Sequence, residues 1–165
     1  MFKIKILILL LTNFLLISCI KHDTEKNSSK FKVGYIAGEY DGLVLKNTLN
    51  SYLYSQGIYD ENSPYEIKAN ISHSSNLYIT NIDNTSDRER ITSTTSIIII
   101  DNLSGCQVYA YKQSISQFYV FASSDFFLSN KKAVKEIKKN NTEELVKGFL
   151  RKLNFADLSC NAQSK

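Results

Sequence analysis

The stretch Tyr65-Glu66-Ile67-Lys68-Ala69-Asn70-Ile71 alternates apolar and polar residues at a period of two. That is the pattern of a half-buried strand, because successive side chains of an extended chain point to opposite faces. Working outward, His73 to Asn76 breaks the pattern and predicts a bulge or bend, after which Leu77 to Ile82 resumes strand character. Asn84 to Arg90 is polar and charged, which predicts a loop or hairpin end. Ile91 to Ile100 is rich in Thr and Ile and reads as strand. Asp101-Asn102-Leu103-Ser104-Gly105 is a turn cluster. Gln107 to Ala122 predicts a long strand, with Val108 and Ala110 on one face and Tyr109 and Tyr111 on the other; Phe118 to Phe121 is apolar on both. Three strands joined by short turns predict an antiparallel meander.

Helical periodicity flanks this meander. Upstream, Phe31, Val33 and Tyr35 alternate with Lys32 and Gly34 as a first strand, and Gly38 ends it. Asp41 is a plausible helix cap. Leu45, Leu49, Tyr52 and Leu53 then fall on one helix face, and Gly57 supplies a left-handed stop. Downstream, Ser129 to Leu153 places Val134, Ile137, Leu145, Phe149 and Leu153 on one face, with Asn140-Asn141 interrupting it. Lys131, Lys132, Lys135, Lys138 and Lys139 lie on the other face. They read as a solvated surface or, more sharply, as a contact for an anionic lipid or protein surface. The order β-α-β-β-β-α predicts an α+β fold: a two-layer sandwich in which a four-stranded, mostly antiparallel sheet carries two helices on one face.

The N-terminus has a different composition. Lys3 and Lys5 precede an apolar run from Ile6 to Ile17, shorter than the ~20 residues needed to span a bilayer. Such a run reads as a signal-peptide core. Leu16-Ile17-Ser18-Cys19 resembles the bacterial lipobox, in which the cysteine thiol takes a diacylglyceryl group and becomes the first mature residue; the alternative is an ordinary secretory peptide with an incidental cysteine. The expected organisation is a signal peptide over 1–18, lipidated Cys19 with a polar tether over 19–30, a periplasmic domain over 31–158 and a tail over 159–165. Ile20, rather than aspartate, after the cysteine predicts sorting to the outer membrane, facing the periplasm.

Loss of residues 1–18 takes Lys3 and Lys5 and lowers the net charge from +4 to +2. Such a balance argues against a nucleic-acid partner. Cys106 and Cys160 remain in a compartment that permits disulfides. They could pair, stay free or bond another chain. No Cys or His completes a metal site, and no cofactor other than the covalent lipid is expected. His73 is the single histidine after the tether and reads as structural or solvated. Asp83, Asp87 and Glu89 with Arg88 and Arg90 form a charge cluster that reads as a solvated loop rather than an acid–base pair. Without a nucleophile–base motif the chain does not read as an enzyme.

The lipobox, the short tether and the β-α-β-β-β-α order together resemble the lipopolysaccharide-assembly lipoprotein (LptE) family. The likeness runs over about residues 31–154. It rests on the Asp41–Gly57 helix, on Asp87-Arg88-Glu89-Arg90-Ile91-Thr92-Ser93 entering the third strand, on the long strand ending Phe118-Tyr119-Val120-Phe121-Ala122-Ser123-Ser124, and on the closing helix. It is a likeness of element order rather than of a sharp motif. The Asn140-Asn141 break, the cysteine pair and the very polar strands depart from the family. The resemblance implies a non-enzymatic plug inside a large outer-membrane β-barrel, LptD, which it helps to assemble and through which lipopolysaccharide reaches the cell surface. Arg88, Arg90 and Lys112, chosen for charge and loop placement, are the candidates for its phosphates. The alternative is an envelope lipoprotein that carries a lipid or small ligand without a barrel, which would need a closed apolar cavity.

Overall fold

The structure is a computed structural model that describes residues 29–79, 87–120 and 127–160. The expected signal peptide, the expected lipidation site Cys19, Asp83 and the end of the tail lie outside the described residues. Six elements follow in order: β1 (Lys32–Ala37), α1 (Glu39–Ser55), β2 (Tyr65–Ile79), β3 (Asp87–Asp101), β4 (Cys106–Val120) and α2 (Phe127–Leu153). The sheet order is β1-β2-β3-β4. β1 runs parallel to β2, and the β2–β3 and β3–β4 pairs are antiparallel. Both helices pack on one sheet face around a single core. This is the expected α+β two-layer arrangement.

A parallel pair needs a crossover, and α1 provides it. Gly38 adopts φ +105° between β1 and α1, a backbone conformation that side-chain-bearing residues rarely take. Gly38, rather than Asp41, caps the helix; Asp41 lies in the first turn, where its charge suits the positive end of the helix dipole. A Cβ on Gly42 would stand 2.7 Å from the Ala37 carbonyl oxygen, so glycine lets this turn sit directly on β1. Leu45, Leu49 and Leu53 are fully buried, each contributing about 1.5–3 kcal/mol of transfer free energy. Gly57, at φ +69°, follows the helix end as its stop.

The bend expected at His73 to Asn76 is not there. β2 and β3 pair without a register shift from Tyr65↔Asp101 to Ile79↔Asp87. Ser72, Ser74 and Ser75 break the hydrophobic period but not the backbone ladder, which asks nothing of side chains. Irregularities lie instead between β1 and β2, where the register shifts between Val33 and Ile36, and between β3 and β4, where Ile99 pairs with Tyr109 and Ile100 with Gln107. Val108 is thereby bulged, and both it and Tyr109 reach the core.

In α2, Leu145, Val146, Phe149, Leu150 and Leu153 are buried, whereas Val134 and Ile137 are half-buried. Phe149 meets the rings of Tyr109 and Tyr111 at 6.2 and 5.6 Å. Asn141 does not interrupt this face; it is fully buried and donates from Nδ2 to Ser93 Oγ at 2.9 Å. The opposite sheet face is open. Across it Thr92 bonds Ser116 at 2.8 Å and Thr94 bonds Ser114 at 2.7 Å. No helix among the described residues is long and apolar enough to cross a membrane.

Candidate functional site

Two regions concentrate chemistry. The first is the far end of the meander. Arg88 and Arg90 lie within β3, opposite Tyr78 and Asn76 of β2 and Val120 and Phe118 of β4. They are strand residues, not the loop-tip residues expected from the charge run. Strand ends tolerate charge where side chains stay at the surface or lie on aromatic rings. Arg90 does the latter: its guanidinium carbon stands 5.0 Å from the Tyr78 ring centre and 4.6 Å from that of Phe118. Such stacking contributes ~0.5–2 kcal/mol, depending on desolvation, and here it joins all three strands. Arg88 is exposed. Around these cations Tyr78, Phe118 and Val120 are exposed apolar groups.

The predicted charge cluster is divided by the pleat. Arg88 and Arg90 face the open side of the sheet and Glu89 the helix side. There Glu89 accepts a hydrogen bond from the Tyr119 hydroxyl at 2.5 Å. Burial, and then this bond, push the Tyr119 phenol well above its ordinary value. Lys112 does not join the arginines. It pairs with Ser96, six positions along β3 from Arg90, or ~20 Å at the rise of a strand.

The second region lies between α1 and the first half of α2. His73, Tyr40 and Val44 floor a cleft of about 310 Å³, and Lys132, Lys135, Lys138 and Lys139 rim it. The lysines therefore do not simply face away from the body of the protein. Asp41 Oδ2 is 3.9 Å from both Lys138 Nζ and His73 Nε2. Lys135 Nζ stands 5.2 Å from the centre of the Tyr40 ring. The sequence signal was the lysine spacing. What it could not carry was that α1 and β2 bring Tyr40, Asp41 and His73 beneath it.

His73 connects the cleft to the interior. Its Nδ1 is 2.7 Å from Ser93 Oγ, which also accepts from Asn141. Ser93 Oγ thus links the imidazole to Asn141. The set has the composition of a serine–histidine–aspartate triad, but Ser93 is 0% exposed beneath α2 and no substrate carbonyl could reach it. Its role is to tie α2 to the sheet. Burial lowers the His73 pKa from its ordinary 6.5; Asp41 opposes this and Lys138 adds to it. The folded protein therefore binds fewer protons than the unfolded chain once pH falls below about 6.5. Stability from this group is complete above that pH and is lost as pH falls through the folded value. Urea midpoints measured from pH 7.5 to 5 should decline in this window, and His73→Gln should flatten the decline. Equal slopes in both proteins would refute the assignment.

Cys106 and Cys160 form a disulfide with Cα atoms 6.2 Å apart, linking the start of β4 to the segment after α2. Among the described residues no group of three or more His, Cys, Asp or Glu could hold a metal ion.

No protein-family model matches the chain, and no curated protein matches it by sequence. Solved structures do match. Rare lipoprotein B from Shewanella oneidensis is 9% identical with a TM-score of 0.60, over 76% of this chain and 93% of that one. A lipoprotein from Caulobacter crescentus CB15 is 14% identical with a TM-score of 0.56, over 77% and 89%. An uncharacterized lipoprotein B from Nitrosomonas europaea is 12% identical with a TM-score of 0.54, over 76% and 82%. At such identities the likeness is one of fold: this chain shares its helix-backed four-stranded sheet with solved bacterial lipoproteins.

Proposed function

We propose that this chain is a lipoprotein anchored in the outer membrane through Cys19, on the periplasmic side, that seats in and helps assemble a lipopolysaccharide-transporting β-barrel of the LptD kind. The observation that carries this reading is the lipobox at Leu16–Cys19 ahead of a domain with the fold of rare lipoprotein B. The shape of the domain supports it. One sheet face is sealed by helices, and the other presents the Thr92–Ser116 and Thr94–Ser114 hydroxyl pairs. A polar face of this kind suits the water-lined wall of a barrel lumen. At the end of that face, Arg88 and Arg90 stand beside Tyr78, Phe118 and Val120. Guanidinium forks match phosphate oxygens, and the neighbouring apolar groups match acyl chains. The protein works by binding rather than catalysis, and needs no cofactor beyond its lipid.

Affinity purification of the tagged, membrane-extracted lipoprotein tests the proposal, with copurifying proteins identified by mass spectrometry. A stoichiometric large outer-membrane barrel is expected. Recovery of the protein alone in mild detergent would overturn the plug reading. In a lipopolysaccharide-binding assay, combining Arg88→Ala with Arg90→Lys should weaken binding about tenfold, the loss of roughly one charge-assisted hydrogen bond. Lys112→Ala, so far along the sheet, should leave binding unchanged.

A further inference from the structure

We propose that the cleft between α1 and the first half of α2 is a binding site for a phosphomonoester, separate from the arginines at the end of the sheet. The argument starts with charge. Lys132, Lys135, Lys138 and Lys139 border one concavity whose carboxylates are Asp41 and Glu136, so cations exceed anions by two. Asp41 is already shared between Lys138 and His73.

The helix sequence bears a cost for this arrangement. Lys132–Lys135 and Lys135–Lys138 are spaced i,i+3 and Lys135–Lys139 i,i+4, and like charges at these spacings destabilise a helix; Glu136, at i,i+4 from Lys132 and i,i+3 from Lys139, offsets part of this. Core packing calls for only part of this half of α2: Asn130 is buried and Val134 and Ile137 are half-buried, whereas Lys132, Lys135 and Lys139 are exposed. Where this half ends, the Asn141–Ser93–His73 chain ties the helix to the sheet. An anion seated among the lysines relieves the repulsion that the fold leaves in place.

The cleft also supplies direction. Lys135 is held over the Tyr40 ring, which limits where its ammonium can point. His73 Nε2 lies on the cleft side, 3.9 Å from Asp41. The ammonium groups are donors matched to an acceptor-only, doubly charged phosphate. A volume of about 310 Å³ is at the small end of ligand sites and suits a phosphorylated three- to six-carbon unit. The same group could come from a soluble ester or from a lipid headgroup.

The test uses the full lipid-anchored chain in detergent micelles. Glycerol 3-phosphate is titrated in one arm, and phosphatidic acid is mixed into the micelles in the other. Binding is followed by isothermal calorimetry, with Lys135→Gln/Lys138→Gln and Lys112→Ala alongside. Saturable binding of glycerol 3-phosphate, weakened at least tenfold in the lysine variant and unchanged in Lys112→Ala, is expected for a soluble source. Binding confined to phosphatidic acid with the same dependence supports the site and assigns a lipid source. Because Lys138→Gln removes an ion-pair partner of Asp41, Lys132→Gln/Lys139→Gln serves as a second variant and should weaken binding in the same sense. No saturable binding of either probe, or binding that both lysine variants retain, would overturn the proposal. Neither result bears on whether a barrel copurifies.

Discussion

Phe149→Ala should destabilise the domain by about 3–5 kcal/mol, a large part of the ~5–15 kcal/mol typical of a folded domain. Phe149 is 0% exposed and lies between α2 and the sheet, against Tyr109 and Tyr111. Its removal subtracts the transfer free energy of a whole ring and leaves a cavity that the rigid β3–β4 ladder cannot close. Tyr111 also loses a flank, although its hydroxyl still reaches Gln113 at 2.7 Å and the Leu145 carbonyl at 3.3 Å. The chain has no tryptophan, so tyrosine fluorescence and circular dichroism are the probes for urea denaturation. Phe155→Ala is the control: that ring is 73% exposed and should change stability by no more than about 0.5 kcal/mol. A loss below ~1 kcal/mol for Phe149 would place the helix–sheet contact elsewhere.

Reduction of the Cys106–Cys160 disulfide should have a comparable effect. The bond spans 54 residues of sequence and encloses β4 and α2 in one covalent loop. Loop-closure entropy for that length corresponds to about 4 kcal/mol, and measured losses usually fall between about 2 and 4 kcal/mol. The reduced protein should still fold, since the buried leucines and isoleucines do not depend on the bond. Its weakening should concentrate where the chain leaves α2: amide exchange over 153–160 should speed up more than exchange in β2 or β3. Comparison of Cys106→Ala/Cys160→Ala with the oxidised protein, after thiol titration confirms its state, gives the number. Unchanged denaturation midpoints on reduction would show that the loop is held by packing alone.

Most of the architecture was legible along the chain because it rests on local periodicity. A period of two over Tyr65 to Ile71 and a leucine stripe at Leu45, Leu49 and Leu53 specify which face of each element is apolar. Once those faces are known, few topologies bury them. Errors arose where polar residues mimic punctuation. His73 to Asn76 looks like a bend because strand signals are read from side chains, whereas a ladder is made by the backbone. Asn141 looked like a break in α2 because nothing nearby in sequence shows that Ser93 and His73 wait opposite it.

The candidate sites were less legible, for a related reason. Charge and residue type are visible in the chain, but convergence is not. Arg88, Arg90 and Lys112 were grouped by charge, yet register keeps Lys112 far from the arginines and seats Arg90 on two rings from neighbouring strands. The lysines of α2 read as a solvated face until α1 and β2 set Tyr40, Asp41 and His73 beneath them. By itself the sequence determined the order and apolar faces of the elements and hence the fold class, which depend on neighbours within a few residues; the likeness of Leu16–Cys19 to a lipobox is read from equally local residues. Tertiary structure alone decided the strand register, the buried Asn141–Ser93–His73 chain and the lysine-rimmed cleft; the last two join groups 20 to 100 residues apart that meet only when the helices close on the sheet.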